Sequence, residues 1–406
     1  MRRSDLFVPT SKEAESSAQV RSAELALRSG LVDHAGAGIF SYSPTGKRVL
    51  DNVADVVRKH MDAIGAQEVS LPGLQYAEIW RQSGRWEEFE GEMFVFENRE
   101  GKDMCLATTH EEPMADLVRE RVRSKNNMPL ALYQIGQKFR DDHPRNGLLR
   151  TKEFRMKDAY SFTSSEAALD EVYQEMKAAY VDIFEELEVE YAIVDADPSS
   201  MGGTASEEFQ APAEVGSDEM AYCPDEDCRF GTVDLEETEC PECGTELVET
   251  NSIELGHIFK LGTRYSDPLD LTFDTEDGDQ EKVIMGSYGI GISRMIPALI
   301  EQRNDEDGII WPESVAPYSL SVIPLNEDEE ITEMATEIHD RVGADDVLLF
   351  DGDTAIGEKF AESDLIGIPA KVILGNSYLE DGQLEVEFRD GGREFYDPEA
   401  FFETYA

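Results

Sequence analysis

Positive charge is scarce in this chain: 36 Lys and Arg stand against 87 Asp and Glu, a net charge of −51 spread along 406 residues rather than gathered in a tail. A surface so evenly acidic repels nucleic acid in ordinary buffer. The Debye length shrinks to about 3 Å at 1 M salt, which screens most of that repulsion, so the charge reads as adaptation to a saline cytoplasm. Long apolar runs are missing as well. No stretch approaches the ~20 residues of a membrane span, and Met1-Arg2-Arg3-Ser4-Asp5 lacks the apolar run of a signal peptide, which points to a soluble cytoplasmic protein. An acidic disordered chain is excluded by a hydrophobic content of 40% arranged in periodic segments. Cysteine is sparse: of five, four lie between Cys223 and Cys243, and Cys105 stands alone as a small buried hydrophobe.

The length suits two or three domains. Val49, Leu50, Val53, Val56, Val57, Met61 and Ile64 keep the spacing of an amphipathic helix that Gly65 is placed to end. Residues 68–72 read as a short strand stopped by Pro72, and residues 112–124 as a second helix. Residues 130–140 are strand-like, and Phe154, Met156, Asp158, Tyr160 and Phe162 alternate along a second run. Residues 141–149 are therefore expected to be the loop of an antiparallel hairpin. Thr163-Ser164-Ser165-Glu166 has the form of a capping box opening a helix. Trp311-Pro312 to Pro317 marks a boundary, beyond which strands and helices alternate as in a small α/β domain.

Phosphate chemistry is mostly positioning and charge neutralisation, so well-placed arginines matter more than a nucleophile. Arg140, Arg150 and Arg294 are candidates, each also readable as an ordinary salt-bridged arginine. The run Gly286-Ser287-Tyr288-Gly289-Ile290-Gly291 fits neither a P-loop nor a G-x-G-x-x-G fingerprint; it leaves room for a flat ligand, or serves packing. Thr109-His110-Glu111-Glu112 either caps a helix start or holds an ammonium group. His257 is either a core histidine or a site residue. Cys223-x4-Cys228-x11-Cys240-x2-Cys243 has the pairing of a closed tetrahedral structural zinc site.

These segments fall into a known order. The helix and strand ending at Pro72 resemble motif 1 of the class II aminoacyl-tRNA synthetases, Phe139 to Phe154 resembles motif 2, and Gly286 to Arg294 resembles motif 3. Ser83-Gly84-Arg85-Trp86, Thr109-His110-Glu111-Glu112, residues 150–162, Glu254-Leu255-Gly256-His257-Ile258-Phe259 and, near the C-terminus, Gly357-Glu358-Lys359-Phe360 and Asp364 to Pro369 are similar to the bacterial type of prolyl-tRNA synthetase. The resemblance implies an α+β fold: an antiparallel-sheet catalytic domain (1–218 and 250–311), a zinc-ribbon-like insert (219–249) and a C-terminal α/β anticodon-binding domain (312–406).

It also implies ATP-dependent attachment of L-proline to tRNA(Pro) through a prolyl-adenylate, with Mg2+ bridging the phosphates and a homodimer formed through motif 1. Arg140 is then expected on the α-phosphate and substrate carboxylate, Arg150 and Arg294 on the outer phosphates, and Phe154 stacked on adenine, with Gly289 and Gly291 as the floor. Arg140 and Arg294 carry the catalytic role. Thr109 and Glu111 hold the imino group, His257 and Trp86 lie near the ring pocket, and Gln210 belongs to the ATP site. Four departures stand out. Asp142 replaces a glutamate of motif 2, Glu207 replaces a histidine, and the large editing insertion between motifs 2 and 3 gives way to the four-cysteine module. Residues 351–355 lack an arginine common there. Two other functions remain compatible with these residues: a paralogue delivering proline or a similar small amino acid to a non-tRNA acceptor such as a carrier protein, and a non-catalytic tRNA-binding protein.

Overall fold

Alternating side chains make strands when one face has something to bury, and here both faces do. Glu153–Thr163 pairs antiparallel with Leu130–Phe139 from Leu130↔Phe162 to Phe139↔Glu153. On one face Tyr160 and Phe162 pack with Met114, Ala115, Val118 and Tyr265. On the other, Lys157 meets Tyr180 of the long helix Glu166–Glu186. The structure, a computed structural model, describes residues 1–13, 19–89, 91–198, 201–225, 227–389 and 391–406.

The chain forms two units, residues 37–39 with 54–298, and residues 1–36 and 40–53 with 299–406. In the first, the strands of the nine-stranded sheet are β1 (Gln67–Glu68), β2 (Leu130–Phe139), β3 (Glu153–Thr163), β4 (Ala192–Ala196), β5 (Ala205–Pro212), β6 (Asp218–Tyr222), β7 (Phe230–Thr232), β8 (Val248–Gly262) and β9 (Ile284–Ile290). Their order is β5-β4-β7-β6-β8-β9-β3-β2-β1, antiparallel except for β1/β2 and β7/β4. β5 also pairs with β8, so β4 to β8 close into a ring. Gly231 is required inside it: a Cβ there would lie 2.8 Å from Val194 and 2.9 Å from Ala192.

The helices largely follow the periodic pattern. α1 (Pro44–Ala63) ends just before Gly65, whose φ is +75°. α2 (Glu111–Arg119) stops short of residue 124, because the backbone tightens after Val118, which accepts from both Arg121 and Val122. α3 (Glu166–Glu186) is capped by Ser165, which accepts from the Ala168 amide at 3.2 Å. The capping box read from Thr163 therefore does not form; the Thr163 hydroxyl donates instead to the Ile284 carbonyl. Residues 69–72 are not strand, since the Leu71 amide turns to the Gln134 side chain.

In the second unit β10 (Leu320–Pro324), β11 (Val347–Leu349), β12 (Ala370–Leu374), β13 (Leu384–Phe388) and β14 (Arg393–Tyr396) order as β11-β10-β12-β13-β14. The first three are parallel and the last two antiparallel. α4 (Glu329–Val342), capped by Asp328, buries Ile331, Met334, Ala335 and Ile338 against them. Among the described residues no helix is long and apolar enough to cross a membrane.

Candidate active site

The β2/β3 hairpin, β8, β9 and the start of α2 enclose a cavity of about 970 Å³. Its walls include Thr109, Glu111, Arg140, Asp142, Arg150, Phe154, His257, Gly289, Gly291 and Arg294, residues that sequence motifs placed in one site.

At one end, the first turn of α2 buries two adjacent carboxylates. Thr109 Oγ1 donates to Glu111 Oε2 at 2.6 Å and Ser287 Oγ to Glu111 Oε1 at 3.2 Å. Helix capping does not occupy these groups, because the N-cap residue is His110 and it makes no side-chain cap. Behind them, a buried arginine missed by the motif reading, Arg85, donates to both Glu111 and Glu112 at 3.1 Å. Burial raises the Glu112 pKa, and Arg85 opposes the shift.

Below Thr109 lies a second buried polar group. Lys138 pairs with Asp158 at 2.6 Å and donates to His110 Nδ1 at 2.6 Å. Tyr160 OH donates to Asp158 at 2.9 Å. His110 Nε2 therefore carries the proton and donates to the Pro72 carbonyl. Burial and then the Lys138 charge push the His110 pKa down to about 4, so the ring is neutral. Gln134 and Lys138, polar side chains four residues apart on the inward face of β2, are the sequence signal for this network, and Gln134 also donates to Asp158 at 3.0 Å.

At the other end stand the arginines. Arg140 follows β2 directly, with its guanidinium 5.3 Å from the Phe154 ring centroid. Its Nε is buried with no hydrogen-bond partner among the described residues. Burial lowers its pKa, and the nearby Glu254 only partly offsets that. Arg294 NH1 donates to the Glu254 carboxylate and carbonyl, both at 2.9 Å. Burial opposes ionisation of Glu254, yet His257 and Arg294 hold its pKa far below the usual carboxylate range. Arg150 pairs with Asp142. The Asp142 pKa is lowered because Arg150 outweighs the opposing effect of burial. Gly289 leaves room on the cavity floor for the flexible tip of Met156, whose Cε would lie 2.5 Å from a Cβ there.

Two expected residues lie elsewhere. Gln210 lines an adjoining cavity of about 290 Å³ that shares Arg150, Glu254 and Arg294 as walls, and it donates to Glu208 at 2.6 Å. Trp86 lines neither; Arg81 lies 5.1 Å above its ring, and it packs beside Trp80, Met93 and Cys105. His257 stacks on Phe259 with centroids 3.7 Å apart and faces Glu208 at 3.2 Å. Its Nε2 is buried without a partner among the described residues.

The cysteine module joins β6 to β7 and β7 to β8. Cys223 and Cys243 sulfurs lie 3.4 Å apart, Cys228 and Cys240 3.6 Å, and all four within 4.8 Å of one another. Zinc–sulfur bonds of about 2.3 Å in a tetrahedron need sulfurs roughly 3.8 Å apart, so these four fit the ion.

Residues 94–303 match the tRNA synthetase class II core domain (G, H, P, S and T), and residues 319–398 match the anticodon binding domain. The proline–tRNA ligase of Wolbachia sp. subsp. Drosophila simulans (strain wRi) is 39% identical over 97% of this chain and 96% of its own length. That of Halothermothrix orenii is 31% identical over 97% of each. The chain belongs to the prolyl-tRNA synthetases. Two solved prolyl-tRNA synthetases have the same fold. The Cryptosporidium parvum enzyme, complexed with halofuginone and AMPPNP, superposes with a TM-score of 0.77 at 16% identity, over 94% of this chain and 73% of that one. The Giardia lamblia enzyme, in complex with prolyl-adenylate, gives 0.76 at 18%, over 92% and 73%. Prolyl-tRNA synthetases differ in length within this set: the Halothermothrix alignment runs over 549 residues and the Wolbachia one over 412. The former therefore carries inserted sequence that this chain of 406 residues lacks.

Proposed function

We propose that this synthetase joins L-proline to ATP as prolyl-adenylate, releasing pyrophosphate, and passes the prolyl group to the terminal ribose of tRNA(Pro), releasing AMP. The observation that carries the reading is charge complementarity within one cavity: a carboxylate, Glu111, at one end and a half-buried guanidinium whose sealed Nε is unpartnered, Arg140, at the other. A zwitterionic amino acid has the matching pair of charges. Its carboxylate is ionised at neutral pH, so the attack on the α-phosphorus needs no general base. Arg140 draws that carboxylate and the α-phosphate together and neutralises charge as the pyrophosphate bond breaks. Arg294 and Arg150 hold the outer phosphates, and Phe154 stacks on adenine. Thr109 and Glu111 receive the imino group, with His257 against the ring. Gln210 supports the ATP site only from the adjoining cavity, and Trp86 has no direct role.

Magnesium binds oxygen by preference, and the Glu208 and Glu254 carboxylates, clustered with His257, fit it beside Arg150 and Arg294. When bound, the ion would neutralise the departing pyrophosphate.

The same proposal includes a structural zinc on Cys223, Cys228, Cys240 and Cys243, a saline cytoplasm, and a homodimer through the motif 1 region; the small three-stranded sheet that follows it in the chain leaves Leu74, Tyr76, Val95 and Phe96 exposed. Metal analysis is expected to give about one zinc per chain. Structural zinc in small modules contributes on the order of 10 kcal/mol, so chelation should also cost stability; a zinc-free protein with an unchanged melting curve would refute the site.

The match of residues 319–398 to an anticodon-binding domain disfavours a carrier-protein acceptor. The deciding experiment is charging of total halophile tRNA with labelled proline in molar KCl, with alanine and cysteine as comparisons. Proline attached to tRNA is the expected result. Proline-dependent pyrophosphate exchange without charging would overturn the tRNA assignment in favour of another acceptor.

A further inference from the structure

We propose that Arg85 is a positioning residue that sets the charge of the amino-acid subsite: it cancels Glu112 and leaves Glu111 with one negative charge to offer the substrate. The inference rests on the reading of Glu111 as the imino-group partner. Arg85, Glu111 and Glu112 are all but sealed from solvent, at 1%, 1% and 0% exposure. Glu111 lines the cavity; Arg85 and Glu112 do not. Arg85 therefore cannot touch the substrate and can act only through the carboxylates.

The geometry of Arg85 suits that task. Gly84, with φ +82°, turns the chain between the helices Ala77–Ser83 and Arg85–Glu88 and sends Arg85 inward. Three aromatic rings surround the guanidinium: Phe89 at 4.5 Å, Trp80 at 5.1 Å and Tyr265 at 5.1 Å. Their π faces stabilise a desolvated cation while excluding water and mobile anions. One nitrogen, NH1, donates to Glu111 Oε2 and to both oxygens of Glu112. Ser83 completes Glu112 at 2.7 Å, and Thr109 and Ser287 complete Glu111.

The charge balance follows. Two carboxylates share one guanidinium, and the neighbouring Lys138 and Asp158 cancel each other at 2.6 Å. One negative charge is left over, and it is on the carboxylate that faces the cavity. A secondary ammonium closes the balance. Two buried carboxylates without the arginine would instead share a proton, and the one charge the pair kept would be divided between them rather than held on Glu111.

The test measures KM for L-proline and for ATP separately, by pyrophosphate exchange in molar KCl. Arg85→Gln should raise the proline KM on the order of 10²-fold, the cost of stripping one partner from a buried pair, with the ATP KM within about threefold. Glu112→Gln, isosteric and still bonded to Ser83, should also raise it, because Arg85 then cancels Glu111. The double variant Arg85→Gln/Glu112→Gln restores one unpaired carboxylate and should bind proline better than either single variant. A packing role predicts the opposite, since the double variant loses more contacts. A double variant no better than the singles would overturn the charge-balance proposal. Should Arg85→Gln fail to fold, Glu112→Gln and the double variant still decide it. Glu111→Gln is the control: an unchanged proline KM there would sink the imino-group assignment itself, whereas a raised one with insensitive Arg85 and Glu112 variants would sink only this inference.

Discussion

Arg140→Ala should lose on the order of 10³-fold or more in proline-dependent pyrophosphate exchange, the scale on which a preorganised donor to a developing anion contributes. The side chain is well placed for so large an effect. It is half-buried, its Nε is sealed from solvent with no hydrogen-bond partner among the described residues, and burial lowers its pKa. A cation kept in that state destabilises the ligand-free protein and is satisfied only when an anion arrives. The same variant should therefore melt no lower than the parent, and removal of a poorly compensated charge should raise the midpoint of its unit by a few degrees, as about 1 kcal/mol does in domains of roughly 150–250 residues. Calorimetry and exchange on the same preparation check both halves. Near-parental exchange would take Arg140 out of the phosphate site, and a collapsed melting temperature would make it structural.

The second large effect is that of salt. In about 0.1 M KCl, with a Debye length of about 10 Å, the melting temperature should be lower than in 2 M KCl by at least about 10 °C, as repulsion among unscreened carboxylates opposes the compact state. Many basic groups are already taken up by acidic neighbours: Arg393 meets Glu385 and Glu387, and Arg58 meets Asp55 and Glu68. They leave a large acidic excess, 87 carboxylates in all. The KM for tRNA should fall as KCl rises toward about 1 M, the reverse of the usual weakening by counterion release. A melting temperature indifferent to salt would separate the acidic composition from any saline adaptation.

Much of the catalytic unit is legible without coordinates, because strand alternation and paired cysteines are local signals. The β2/β3 hairpin with Arg140 and Phe154 at its mouth is such a case, and so is the run through Gly289 and Gly291. What escapes is whatever depends on distant partners. Arg85 looks like any arginine after a glycine until Trp80, Phe89 and Tyr265 close around it. Trp86 is its neighbour in a short helix; once Arg85 points inward, the next side chain points away, toward Arg81. The Thr163 capping box fails for a similar reason: β3 runs on through Thr163, whose hydroxyl is claimed by β9, and the helix start moves to Ser165. The grouping of residues 1–36 with the C-terminal part rests on contacts hundreds of positions apart, which no window of sequence reports.

The ring of β4 to β8 has a bearing on how such chains change length. Ala221 stands opposite Thr232, and Tyr222 stands opposite both Gly231 and Val248. The chain thus leaves the sheet at Thr232 and re-enters it at Val248 on either side of β6, a gap of two strand spacings or roughly 10 Å. Any folded body whose own ends lie that far apart can be spliced into the gap while β8, with Glu254 and His257, keeps its register. The module fills that gap with Cys240 and Cys243 and ties them to Cys223 and Cys228 in the β6–β7 connection, so what fills the gap can differ in length without moving β8.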